Sequence, residues 1–144
     1  MSDVSSNTPV DNTTIFQAAS MSKPIFALAV MQLRDKGTII LDKDVNEYLK
    51  SWKIPAKENW HPKISFRQLL SHTSGLTVDG FPGYLSSETI PTLPQILNGE
   101  KPANTPAVEV NILPGTRFRY SGGGLTVAQL AVMDLMDKQF PAIM

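Results

Sequence analysis

The chain has 144 residues, with thirteen basic and thirteen acidic side chains and no cysteine. That length suits one domain with a core, and the balanced charge lacks the electrostatic footprint of a nucleic-acid or anionic-membrane binder. Without cysteine there is no disulfide framework, thiolate nucleophile or zinc–thiolate site, and two histidines, His61 and His72, are too few for a histidine-built metal centre.

Residues 1–14, rich in Ser, Asn, Asp and Thr, read as a flexible lead-in without the basic-then-apolar layout of a signal peptide, which leaves the compartment open. A helix is predicted from Ser20 to about Lys36, closed by Gly37. Ile25 to Met31 is apolar around the whole helix, so that helix is expected to be enclosed on every side; the run is far too short to span a membrane. Pro24 is tolerated only in a first turn, which places the helix start at or near Ser20. Thr38–Leu41 is a candidate strand, and Asp42–Leu49 a short helix burying Val45, Tyr48 and Leu49.

Residues 50–63 form a loop holding Pro55, Pro62, Trp52 and Trp60. Ser65 is placed to cap a short helix through Ser71 that buries Phe66, Leu69 and Leu70, followed by a turn at His72-Thr73-Ser74-Gly75. Thr77–Pro106 is Pro- and Gly-rich and reads mostly as loop, with a short helix near Gln95–Leu97. Val108, Val110 and Ile112 alternate with period two, as in a strand. After the Pro114-Gly115 turn, Phe118 and Tyr120 fall on one side of an extended piece. Thr126 and Gln129 have capping-box spacing and open a final helix to about Lys138. There is no internal repeat.

Ser20-Met21-Ser22-Lys23 has S-x-x-K spacing. Residues i and i+3 of a helix are surface neighbours, their Cβ atoms about 5–6 Å apart, so the lysine amine can reach the serine hydroxyl. It can accept that proton once burial has lowered its pKa. A hydroxyl at a helix start also meets free backbone N–H groups suited to an oxyanion. Twelve serines and nine lysines make one such pair ordinary by chance, so from spacing alone Ser20 is either a nucleophile or a plain N-cap. Tyr120 is likewise either a catalytic phenol or an aromatic packed beside Phe118. His72 is explained by the hydrogen bonds of its turn, and Gly75 by a positive φ.

Context goes further. Thr14-Ile15-Phe16-Gln17-Ala18-Ala19-Ser20-Met21-Ser22-Lys23 resembles the nucleophile segment of class C β-lactamases and their esterase and D-alanyl-peptidase relatives. Gly37 through Val45 resembles a G-x-x-x-L-D-x-x-V segment of that family. Leu69-Leu70-Ser71-His72-Thr73-Ser74-Gly75-Leu76 is similar to its L-L-x-H-T-S-G-L box, and Pro114-Gly115-Thr116-Arg117-Phe118-Arg119-Tyr120-Ser121 to the P-G-x-x-F-x-Y-S run before its second catalytic element. The four boxes occur in the family's order.

The resemblance to the serine β-lactamase and penicillin-binding-protein family implies an α+β fold, mostly helical in this chain, with most of the antiparallel sheet missing, and residues 1–144 as a single or partial domain. It implies Ser20 as nucleophile through an acyl-enzyme, Lys23 as base and Tyr120 as proton shuttle. It implies no metal and no cofactor, a small-molecule acyl substrate (ester, D-alanyl peptide or β-lactam), and often a periplasmic or secreted location. Two departures stand out. The family's Y-x-N is here Tyr120-Ser121-Gly122, so Ser121, Gly122 or backbone would take over substrate binding from the missing amide. Its K-T-G or H-x-G element is absent from this sequence. The chain alone is therefore expected to be catalytically incomplete, either self-associating through the face the missing sheet would cover or serving as a non-catalytic binding domain.

Overall fold

The computed structural model describes residues 1–57 and 59–144. Helix α1 spans Ser22–Asp35, α2 Phe66–Leu70, α3 Leu93–Asn98 and α4 Gly122–Met136, with single 3-10 turns at Ala19–Met21, Val45–Glu47 and Phe140–Ala142. The core sits around α4, which buries Leu125, Val127, Ala128, Leu130, Ala131 and Val132 and packs on α2 and α3.

The short helices start where the sequence places capping residues. Ser65 accepts from the Gln68 N–H, and the Gln68 side chain accepts from the Ser65 N–H, closing a reciprocal box at the head of α2. Thr92 and Gln95 repeat that arrangement on α3, which carries Pro94 in its first turn and stops at Gly99 in the left-handed conformation (φ 65°). Phe66 and Leu69 are buried as expected while Leu70 is only half-buried; Val45, Tyr48 and Leu49 are also buried as expected, although only Val45–Glu47 closes into a helical turn. Asp134 of α4 fastens the next loop by accepting from the Lys50 and Ser51 N–H groups at 2.6 and 2.9 Å.

The α+β expectation holds on its helical side only. Among the described residues the extended pairing amounts to four isolated antiparallel bridges, Asp3–Thr8, Asp44–Ser65, Lys57–Trp60 and Leu76–Val110. Thr38–Leu41 is not a strand, and Val108 and Val110 are buried as their alternation suggests but pair only through the Leu76 bridge. Strand propensity describes fit to a neighbouring strand, and here the neighbour, residues 75–77, pairs over too short a stretch to form a ladder.

Helix α1 also departs from expectation. It buries only Phe26 and Val30, while Ile25 and Leu28 are 59% and 58% exposed; the helix is packed on one face, not enclosed. It starts at Ser22, leaving Ser20 in the preceding 3-10 turn, with Pro24 third in the helix.

Helix α4 begins four residues earlier than Thr126. Its cap is Ser121, which accepts from the Gly124 N–H at 2.8 Å, and Thr126 instead donates to the Gly122 carbonyl. Three successive glycines weaken a helix by propensity, which hides this start in the sequence. Their smallness is needed for packing: a Cβ on Gly122 would lie 2.9 Å from the Asp79 carbonyl oxygen, and one on Gly123 2.8 Å from both the Thr77 oxygen and a Val108 methyl.

Candidate active site

Ser20, Lys23 and Tyr120 meet at one oxygen. The Lys23 ammonium donates to Ser20 Oγ at 2.9 Å, and the Tyr120 hydroxyl donates to the same atom at 2.9 Å across one hundred residues of chain. The ammonium also lies 5.2 Å from the Tyr120 ring centroid, a cation–π distance. Lys23, and then Ser20, hold the Tyr120 phenol below its ordinary pKa of 10.0 by stabilising the phenolate.

The backbone aims the serine. Ala19 has φ 46°, a left-handed conformation that costs a residue with a Cβ about 1–2 kcal/mol. Such strain concentrates at functional sites because the surrounding structure must hold it. Ser20 is solvent-exposed, so its hydroxyl is open to an incoming carbonyl.

Tyr120 is delivered by the turn after α2. Gly75 has φ 74°, and a Cβ there would sit 2.1 Å from the Ile112 carbonyl oxygen, so only glycine fits. The Arg119 guanidinium ties this turn to the tyrosine segment, donating to the carbonyls of Gly75 (2.5 Å) and Leu76 (3.1 Å) and to Asn111 Oδ1 (2.6 Å). His72, at φ 56°, stacks on Tyr120 with ring centroids 4.4 Å apart and planes at 33°. Burial first, and the charge of Lys23 second, push the His72 pKa below its ordinary 6.5.

Ser121, expected from the resemblance to help bind substrate, is buried, and its hydroxyl donates to the Thr77 carbonyl at 2.8 Å while accepting from the Gly124 N–H. Gly122 donates its N–H to the Asp79 carbonyl and borders a cavity of about 690 Å³ that reaches Lys23 and is walled by Met21, Ile25, Phe26 and Leu125. Among the described residues no cluster of three or more His, Asp or Glu is placed to hold a metal ion.

The whole chain, residues 1–144, matches the family model described as Beta-lactamase, and the chain belongs to that family. It is 36% identical over 76 residues to Esterase EstB of Burkholderia gladioli, a match covering 53% of this chain and 19% of EstB. The solved structure of EstCE1, a hydrolase with promiscuous acyltransferase activity, superposes with a TM-score of 0.76 at 28% identity, covering 99% of this chain and 39% of that one. A penicillin-binding protein from Bacillus halodurans shares the fold, with a TM-score of 0.68 at 23% identity over 99% of this chain and 41% of its own. The chain thus spans well under half the length of these relatives.

Sequence reasoning brought together the three polar groups but missed what supports them. The strain at Ala19 has no sequence signature. The contact between His72 and Tyr120 could have been suspected only from the two boxes being neighbours in space, and the Arg119 fork from a charged residue inside an otherwise apolar extended piece.

Proposed function

We propose that the chain carries the nucleophile of a serine hydrolase that works by acyl transfer, with Ser20 as nucleophile, Lys23 as base and Tyr120 as proton relay. The observation that carries this reading is the convergence of Lys23 Nζ and the Tyr120 hydroxyl on Ser20 Oγ, each at 2.9 Å. With the pair one proton short, as a Tyr120 phenolate beside the Lys23 ammonium, Ser20 Oγ bonds to the substrate carbonyl carbon as its proton passes to that pair, and the Ser20 backbone N–H supports the oxyanion. The relay returns the proton to the departing alcohol or amine. Water then cleaves the acyl-enzyme and regenerates the hydroxyl. An apolar cavity beside Lys23 and the absence of the Y-x-N amide favour an ester over a β-lactam; the relative Esterase EstB points the same way by name.

The test is intact mass after treatment with a fluorophosphonate, a chromogenic short-chain ester and penicillin in parallel. One adduct at Ser20, absent in Ser20→Ala and slowed about 10²–10⁴-fold in Lys23→Ala, is the expected result. A folded protein that takes no adduct from any of the three overturns it. One observation favours a second reading, a non-catalytic binding domain of this family: Tyr120-Ser121-Gly122 lacks the amide and turns Ser121 inward. Reversible ligand binding by calorimetry, with no acylation and no loss in Ser20→Ala, would support that reading instead.

A further inference from the structure

The hydrogen bonds around Tyr120 share an unusual feature: three of its supports come from one residue. The Arg119 N–H, on the residue just before Tyr120, donates to the His72 carbonyl at 2.7 Å. The Ser121 N–H, on the peptide leaving it, donates to His72 Nδ1 at 3.2 Å. The imidazole face lies against the phenol ring, and Phe118 closes on the imidazole edge at 5.9 Å. We infer that His72 is a positioning residue which, in its neutral form only, clamps Tyr120 through the N–H groups of the residues on either side of it and across its ring, setting the phenol on Ser20 Oγ. The proposal rests on the Ser20–Lys23–Tyr120 reading for its consequence, although the clamp itself is a statement about Tyr120.

The protonation state follows from the donor. A backbone N–H aimed at Nδ1 requires a lone pair there, which puts the imidazole proton on Nε2. A second proton would set donor against donor at Ser121. The groups packed against the ring reinforce the penalty. Lys23 of α1 is the charged group that faces it, Tyr120 presents a phenol and Ser121 an amide N–H, while the Arg119 guanidinium is occupied by the Gly75 and Leu76 carbonyls and Asn111. Protonation therefore adds a cation beside Lys23 and removes the acceptor together. The left-handed backbone at His72, held by the turn that Gly75 completes, keeps its carbonyl and ring on the same side. A turn position alone explains the conformation but not the stacking on Tyr120.

The experiment uses the full chain and two readouts that need no turnover. In nitrogen-15 NMR from about pH 8 to about pH 4, across the histidine range, the Ser121 amide is expected to shift with the same midpoint as the His72 ring nitrogens. A Ser121 amide that does not follow that midpoint overturns the proposal. Ultraviolet difference titration then reads the Tyr120 phenol, with Tyr120→Phe as blank, in wild type, His72→Ala and His72→Asn. Asparagine tolerates left-handed backbone and offers a carbonyl oxygen near the Nδ1 position. The phenol is expected to titrate higher in the alanine variant and near wild type in the asparagine variant; three coincident titrations overturn the clamp. Should His72→Ala fail to fold, the wild-type NMR titration still decides.

Labelling of Ser20 by fluorophosphonate is read beside these, expected to fall about 10–100-fold in His72→Ala, the cost of misplacing a catalytic group by about 1 Å, with rescue in His72→Asn. Absent labelling in wild type with the NMR coupling intact defeats the serine-hydrolase reading and leaves the clamp standing. Normal labelling in His72→Ala defeats the clamp's consequence and leaves that reading standing.

Discussion

At Ser20 a three-residue spacing becomes a 2.9 Å contact because a 3-10 turn runs straight into α1 and holds Lys23 on the serine's side. Two predictions belong to this scale. Lys23→Gln removes the cation that most strongly favours the phenolate, so the Tyr120 titration should climb back toward the ordinary tyrosine value, as ultraviolet absorbance would read. No movement would mean that the lysine does not act on Tyr120 in solution. His72, with its folded pKa held below the ordinary 6.5, binds fewer protons folded than unfolded. Stability therefore rises with pH through that window, is complete above about 6.5, and is lost as pH falls toward the folded value. Melting temperature should decline on acidification below that point, and the decline should shrink in His72→Asn. An undiminished decline would assign it to other groups.

Among the elements, α4 separates propensity from packing most sharply. Alanine for Gly123 should add about 1 kcal/mol by helix propensity, yet its Cβ would lie 2.8 Å from the Thr77 oxygen and from a Val108 methyl. Gly123→Ala is therefore expected to lose about 1–3 kcal/mol in urea denaturation, and a stabilised variant would show that the loop yields. Ser121→Ala removes the α4 cap and should cost about 1 kcal/mol on the same measurement. Its side chain is buried against the Thr77 carbonyl, so the ester KM should stay unchanged once folding is matched. A selective rise in KM would restore Ser121 to the substrate. The Ser65 cap of α2 was legible because a box of this kind needs only two side chains three positions apart and a backbone. The α4 start was not legible, because its glycines answer to Asp79, Thr77 and Val108, residues that only the fold brings near.

For the whole molecule, the feature to be tested is the apolar row Met21, Ile25 and Leu28, which falls at i, i+4 and i+7 on the uncovered side of α1 and is 58–70% exposed. A continuous apolar face of this kind is uncommon on a monomer. The 144-residue chain on its own is predicted to self-associate through it. Sedimentation velocity should show a weight-average mass that rises with concentration and returns to monomer in Ile25→Lys/Leu28→Lys. A wild type that stays monomeric at every concentration sinks this prediction.

The sequence by itself determined the Ser65 cap, most of the buried positions of the short helices, the absence of thiol chemistry and the pairing of Ser20 with Lys23, because each depends on residue types or on side chains within a few residues of one another. Its order of boxes also reached the family and put Tyr120 forward. The tertiary structure alone decided that α1 is packed on one face, that the predicted strands form no ladder, that Ser121 turns inward, and that His72 rests on Tyr120. Those outcomes hang on which distant segments meet, as Gly75 meets Ile112 and Gly123 meets Thr77. Local pattern carries no information about such meetings until the chain is folded.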